Sequence, residues 1–301
     1  MDKLEALASV SRLSENVIRV LGQNPGKFTL QGTNTYIIGR QRPFTLVDTG
    51  EGREEYIPFL ESALKDARAQ SPLDDTCADV SDIVLSHWHH DHVGGLPSVL
   101  ALLRRLWDER NVSVAFKPPR LHKFPLPAAI TPNPYDKLPS IIESLPRRLI
   151  LESRLRVLHT PGHTRDSICL HVPQDSALYT ADTVLGQGTA VFEDLAAYIT
   201  SLRAMLAFAK AEGAGTLYPG HGPVIETYIK HRLEREAQIV GILKTPPPVA
   251  SAAAGDRGSH PWTTWTLHAG VTLHLEKLEG EGVVKRLGGE GKDTSWEFVA
   301  E

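Results

Sequence analysis

Ser86-His87-Trp88-His89-His90-Asp91-His92 follows an apolar run at 83–85 and precedes the pair Gly94-Gly95. Residues 83–85 are short, apolar and flanked by polar residues, which predicts a buried strand running straight into the histidines. Neutral imidazole and carboxylate are preferred ligands for zinc, and also for iron or manganese. A short loop fixes their spacing before a cation arrives, which lowers the ordering cost. A solvated charged face would use Lys and Glu, and a packing role would need apolar neighbours. Neither describes four imidazoles and a carboxylate in this span.

One loop cannot close two coordination shells, so more ligands are expected at other strand ends. His163 lies in Thr160-Pro161-Gly162-His163-Thr164, after a strand expected over 155–158. Asp182 lies in Tyr179-Thr180-Ala181-Asp182-Thr183, after a strand expected over 177–179. His221 lies in Tyr218-Pro219-Gly220-His221-Gly222-Pro223, after a strand expected over 216–218. The recurrence of this placement carries more weight than any one position.

Outward from these motifs, strands are expected over 17–21, 35–38, 44–47, 112–116 and 167–172. An amphipathic helix is expected over 54–67, with Tyr56, Leu60 and Leu64 on one face, and further helices over 96–107, 195–211 and 228–243. Residues 117–146 are rich in proline, which lacks the N–H a sheet needs, and read mostly as loop: a cover over the site or a surface excursion. Strands and helices alternate in groups, the pattern of sheets covered by helices. The domain reading is 1–243 for the main domain, 244–260 for a linker opened by Thr245-Pro246-Pro247-Pro248, and 261–301 for a tail. In the tail, Leu267, Val271, Leu275 and Leu278 share a helical face, and 283–299 reads as a β-hairpin around Gly288-Gly289. Together they resemble the end of a shortened winged-helix module.

The chain of 301 residues, 41% hydrophobic and 23% charged, has an ordinary globular composition. A net charge of −4 supplies no overall field to recruit polyanions, and argues against general nucleic-acid binding. Cys77 and Cys169 make no disulfide framework and read as buried thiols of a reducing compartment. The charged start Met1-Asp2-Lys3-Leu4-Glu5 does not read as a signal peptide, and no stretch has the length of a membrane span. The expectation is a cytoplasmic protein with no membrane partner, an organelle address remaining open.

His87-x-His89-x-Asp91-His92, with His163, Asp182 and His221 in that order and the strand-turn Leu46-Val47-Asp48-Thr49-Gly50, resembles the metallo-β-lactamase superfamily over about residues 15–240. The resemblance implies an αβ/βα sandwich with two metal ions, zinc by default and iron or manganese as alternatives. It implies that His87, His89 and His163 hold the first ion, that Asp91, His92 and His221 hold the second, and that Asp182 bridges them. It gives His90 no ligand role and makes Asp48 a hydrogen-bonding support for the ligands. Chemically, it implies hydrolysis by a metal-bridging hydroxide, with Asp91 able to take up a proton.

Asn24-Pro25-Gly26-Lys27-Phe28-Thr29-Leu30-Gln31-Gly32-Thr33-Asn34-Thr35-Tyr36, Gly188-Thr189-Ala190-Val191-Phe192-Glu193-Asp194-Leu195 and the His221 motif are similar to the lactamase-like protein 2 group. That group implies one of two substrates: acyl or polyketide thioesters, carried on coenzyme A or an acyl carrier protein domain, or single-stranded RNA. Thioester hydrolysis is the favoured expectation, because the chain is acidic and the tail helix sets Glu276, Glu279 and Glu281 against Lys277, a poor phosphate reader. A non-catalytic binding protein on the same fold is a third reading, disfavoured by the full ligand set. The loop Gly186-Gln187-Gly188-Thr189 is expected near the mouth of the site, or as a tight turn only.

Overall fold

A computed structural model describes residues 4, 6–71, 76–125, 142–144, 155–187, 190–223, 279, 282, 284–288 and 295–299. Strands β1 (Val10–Arg12), β2 (Val17–Leu21), β3 (Asn34–Ile38) and β4 (Phe44–Val47) form an antiparallel meander. Strands β5 (Val80–Leu85), β6 (Arg120–Lys123) and β7 (Ile142–Ser144) extend it in parallel to seven strands in chain order. Parallel neighbours need long crossovers. Helix α1 (Tyr56–Ala69) supplies the one from β4 to β5, and α2 (His90–Val93) with α3 (Leu96–Asp108) lies on the one from β5 to β6.

The second sheet holds β8 (Arg156–His159), β9 (Ile168–Val172), β10 (Ala177–Ala181) and β11 (Thr216–Pro219), in the order β11-β10-β9-β8. Helix α4 (Leu195–Glu212) crosses over between the parallel pair β10 and β11. It starts on Asp194, whose side chain accepts from Ala197 N, and stops at Gly213 in the left-handed conformation.

Strand alternation distributes the apolar side chains into three cores. On β2, Ile18 and Val20 point to one face and pack with Leu60 and Leu64 of α1 and Leu96, Val99 and Leu103 of α3. Val17 points to the other face and joins Tyr36, Val47 and Val84 against Leu170, Val172 and Tyr179 of the second sheet. Cys169 and Leu185 pack with Leu195, Ile199 and Leu202 of α4. The order helix, sheet, sheet, helix is the αβ/βα sandwich expected from the sequence.

The expected strand over 112–116 is absent. Val112 is 99% exposed, and this stretch instead folds back on the end of α3, with the Trp107 indole donating to Val114 O at 2.8 Å and meeting the Phe116 ring. The strand beside β5 is β6, inside the proline-rich segment expected to be mostly loop. Its sequence, Arg-Leu-His-Lys, carries little apolar signal because charge pairs it to its neighbour. Buried Asp82 on β5 accepts from Arg120 Nε at 2.8 Å and Nη2 at 2.9 Å, and lies 2.7 Å from His122 Nε2. Cys77 is half-buried rather than buried, and Cys169 is fully buried; both are free thiols. Among the described residues no helix is long and apolar enough to cross a membrane. In the tail, β12 (Val284–Gly288) pairs antiparallel with β13 (Ser295–Phe298), the expected hairpin. The expected helix over 228–243, the linker over 244–260 and residues 261–278 lie outside the described residues.

Burial pushes the Asp82 carboxyl up, but hydrogen bonds from His122, Arg120 and Ser81 outweigh it and hold the group well below its ordinary range. Its stabilising effect is therefore fully present above the unfolded carboxylate pKa of about 4 and lost as pH falls below it. Asp82→Asn is expected to lower unfolding free energy at neutral pH by ~1–3 kcal/mol and to flatten the acid limb of a Tm-versus-pH series. An unchanged Tm profile would show that β6 is held by other contacts.

Candidate metal centre

The centre is assembled where strands of both sheets end. After β4 the chain turns at Asp48, which takes a left-handed φ of 59°, a conformation Asp tolerates better than most residues. The turn buries the Asp48 carboxylate completely and gives it four donors. Ser86 N reaches Oδ1 at 2.7 Å, while Ser86 Oγ and His92 Nδ1 reach Oδ2 at 2.7 Å each and the Tyr179 hydroxyl reaches it at 2.5 Å. Thr49 adds a second clamp on the same histidine, its N and Oγ1 donating to His92 O at 2.8 and 2.9 Å.

Seven sequence-predicted positions converge beside this anchor. His87, His89, His163 and Asp182 form one group that could hold a metal ion, and Asp91, His92 and His221 form another; within each, the ligand atoms lie within 4.8 Å of one another. Asp182 reaches into both groups. Its Oδ2 is 3.6 Å from His163 Nε2 and 3.2 Å from His221 Nε2, and its Oδ1 is 3.3 Å from His92 Nε2. This approach depends on Gly220, where a Cβ would stand 2.2 Å from Asp182 Oδ1. His90 is exposed and belongs to neither group.

The outer ring nitrogens fix the tautomers. Ser86 Oγ donates its proton to Asp48, so at 3.0 Å it accepts from His87 Nδ1–H. Carbonyl oxygens can only accept, so Val191 O takes the His163 Nδ1 proton at 2.6 Å and Gly32 O takes that of His221 at 3.3 Å. When neutral, these rings turn bare Nε2 lone pairs inward. His87 and His163 face each other this way with Nε2 atoms 3.2 Å apart, a repulsive contact unless a cation lies between the acceptors. Two further inward atoms, His92 Nε2 and Asp182 Oδ1, are buried without a hydrogen-bond partner. Orphaned buried polar atoms and facing lone pairs are costly, and bound metal ions would relieve both, so the residues fit such a group.

Charge is divided unevenly. Burial pushes His87 well down, helped by the neighbouring His92 and His163, and pushes His89 down to about 4. Burial also opposes charge on His92 and His221, yet Asp91, Asp182 and Asp48 hold His92 well above the ordinary value, and Asp182 and Asp91 raise His221 to about 9. Burial would raise Asp182 and Asp91 in turn, but the imidazoles His221 and His92 keep both well below the usual carboxylate range.

Some contributors carry no readable sequence signal as ligand supports: Thr33, Ser86, Tyr179 and the carbonyls of Gly32 and Val191. Ser86 directly precedes His87, and long-range pairing brings the others to the centre. Gln187 of the expected loop 186–189 lines the mouth, together with Leu185 before it, while Gly188 and Thr189 lie outside the described residues.

The sequence pattern of the metallo-beta-lactamase superfamily matches residues 28–221, a span containing all seven positions. The chain belongs to that superfamily. As a metallo-β-lactamase-fold hydrolase it is 35% identical to the beta-lactamase-like protein 2 homolog of Caenorhabditis elegans, over 95% of this chain and 91% of the relative. It is 32% identical to the atrochrysone carboxyl ACP thioesterase dmxR1 of a Cryptosporiopsis species, over 96% and 84%. A beta-lactamase domain protein from Burkholderia ambifaria shares the fold with a TM-score of 0.65 at 17% identity, over 99% and 97% of the two chains.

Ligation needs the Nε2 lone pairs that protons occupy on His92 and His221 at neutral pH. Titrating this superfamily member with a divalent metal is therefore expected to release protons, and affinity is expected to weaken as pH falls below about 9, the value to which His221 is raised. Calorimetry in buffers of different ionisation enthalpy reads this directly. Heats independent of the buffer would mean that the two rings are already neutral.

Proposed function

We propose that the chain is a dinuclear metal-dependent thioesterase acting on acyl or polyketide thioesters, carried on an acyl carrier protein or on coenzyme A. The observation that carries this reading is the cavity over the centre. It encloses about 510 Å³ between His89, Asp91 and Asp182 below and an apolar wall of Phe28, Leu30, Leu185 and Val191. Phe28 is 70% and Val191 57% exposed, an apolar surface at the mouth that an acyl chain would cover. Lys27, the single lysine among the described lining residues, which include no arginine, suits one phosphate or carboxylate at the rim. A single-stranded RNA groove would need a track of cations along the backbone. The thioesterase names borne by fungal relatives support the same substrate class.

His87, His89 and His163 would hold one ion and Asp91, His92 and His221 the other, with Asp182 shared; zinc suits this set, as do iron and manganese. The bound ions would supply Lewis acidity that activates water and polarises the thioester carbonyl. Asp91, ionised and with its side chain 22% exposed, takes the proton lost as water adds to the carbonyl carbon. The C–S bond then breaks, releasing the acid and a thiol. A thiolate leaves readily, since thiols ionise near pH 8.5, so the step asks for no strong general acid. The apolar wall keeps bulk water from the reacting carbonyl and strengthens the electrostatics beneath it.

The test combines elemental analysis with assays of one preparation on an acyl-coenzyme A and on single-stranded RNA. About two metals per chain and thioester turnover are expected, both lost in the double variant His87→Ala/Asp182→Ala. Phe28→Ala is expected to raise KM several-fold with kcat little changed, since it removes contact area remote from the carbonyl. RNA cleavage with the thioester untouched would sink the substrate assignment. A metal-free parent, inert after zinc, iron or manganese is added, would sink the whole reading.

A further inference from the structure

The loop between β2 and β3 closes on a pair of fully or nearly fully buried polar residues, Asn24 and Thr33. Thr33 N donates to Asn24 Oδ1 at 2.8 Å, which fixes the side-chain amide so that Asn24 Nδ2 donates to Thr33 Oγ1 at 3.0 Å. With that oxygen already accepting, the hydroxyl proton is free for Asp91 Oδ2 at 3.1 Å. The direction is forced, because an ionised carboxylate can only accept. Asp91 Oδ2 is also the oxygen 3.3 Å from both His92 Nε2 and His221 Nε2.

The flanking residues support the same half of the centre. Gly32 O accepts from His221 Nδ1, and Asn34 N donates to Gly220 O at 2.7 Å, which pins the turn that carries His221. The other half has separate supports: Ser86 holds His87 and Val191 O holds His163. We infer that Thr33 is a positioning residue whose hydroxyl, aimed by Asn24, sets the Asp91 carboxylate and so controls metal occupancy of the Asp91–His92–His221 half alone. The inference rests on the dinuclear reading proposed above.

The experiment measures metal per chain and stepwise affinity against a competing chelator for the parent, Thr33→Val, Thr33→Ser and Asn24→Asp. Thr33→Val keeps the side-chain shape and deletes the hydroxyl. It is expected to retain the tighter equivalent at parental affinity and to bind the other ~10–100-fold more weakly, the usual effect of losing an outer-shell partner. Thr33→Ser restores the donor and is expected to behave as the parent. Asn24→Asp leaves Thr33 in place but offers its hydroxyl a competing carboxylate, so it is expected to follow Thr33→Val and covers the case in which Thr33→Val fails to fold. Parental affinity for both equivalents in Thr33→Val or in Asn24→Asp overturns the inference while leaving the dinuclear reading standing, as does equal weakening of both equivalents. A parent that binds no more than one equivalent overturns both.

Discussion

The carboxylate of Asp48 is the point on which the two sheets and the metal-ligand loop agree. It has no contact with solvent and accepts from the backbone and hydroxyl of Ser86, the ring of His92 and the phenol of Tyr179. Ser86 ends β5, His92 lies on α2, and Tyr179 comes across the sandwich from β10. A buried carboxylate is tolerable only with its acceptor sites filled, so the three elements are held to one geometry by the cost of leaving any donor away. The same charge lifts the Tyr179 phenol well above its ordinary range after burial has already raised it, which keeps that hydroxyl protonated and donating.

From this anchor the asymmetry of the centre follows. The His87 side is reached through Ser86, a neutral hydroxyl, and His87 and His89 are driven toward the neutral form by burial and by neighbouring imidazoles. The His92 side is surrounded by Asp48, Asp91 and Asp182 and is driven toward the protonated form. The two groups thus have opposite electrostatic character, because His92 lies beside Asp48 and Asp91 as well as Asp182. Metal binding would replace protons on one side and relieve facing lone pairs on the other, so it would contribute to folding free energy by two different routes.

The convergence of the candidate ligand positions was legible because each obeys one local rule: a polar side chain just after a short apolar strand. Residues 83–85, 155–158, 177–179 and 216–218 all end in such a junction, and the structure closes the four ends on one another. Helix α1 was legible for a similar reason, since Tyr56, Leu60 and Leu64 recur at helical spacing and are fully buried. What stayed hidden depends on partners remote in sequence. Strand β6 is polar and follows two prolines, and only Asp82, 38 residues earlier, makes Arg120 a strand residue. The reverse error at 112–116 has the same origin: alternating valines look like a strand, but the place beside β5 is already taken. Thr33 could not be recognised as a support for Asp91, because no local pattern links positions 58 residues apart.

Chemistry and selectivity also come from different parts of the chain. The candidate ligands stand on strand ends fixed by three cores, and a related donor set on this fold would serve many hydrolyses. The mouth is lined by Phe28 and Leu30 from between β2 and β3 and by Leu185 and Val191 from between β10 and α4. A chain with a net charge of −4 and a single lysine among the described residues of this rim has little long-range field with which to steer an anionic substrate. On the proposed thioesterase reading, recognition would come from contact with an apolar body. Desolvation by that body strengthens the electrostatics of the charged centre below it, since the Coulomb energy between fixed charges grows as water is excluded. The same loop that presents Phe28 to the mouth ends in Thr33 at Asp91, so the wall that would bind an acyl chain and the donor that holds a ligand are one continuous element.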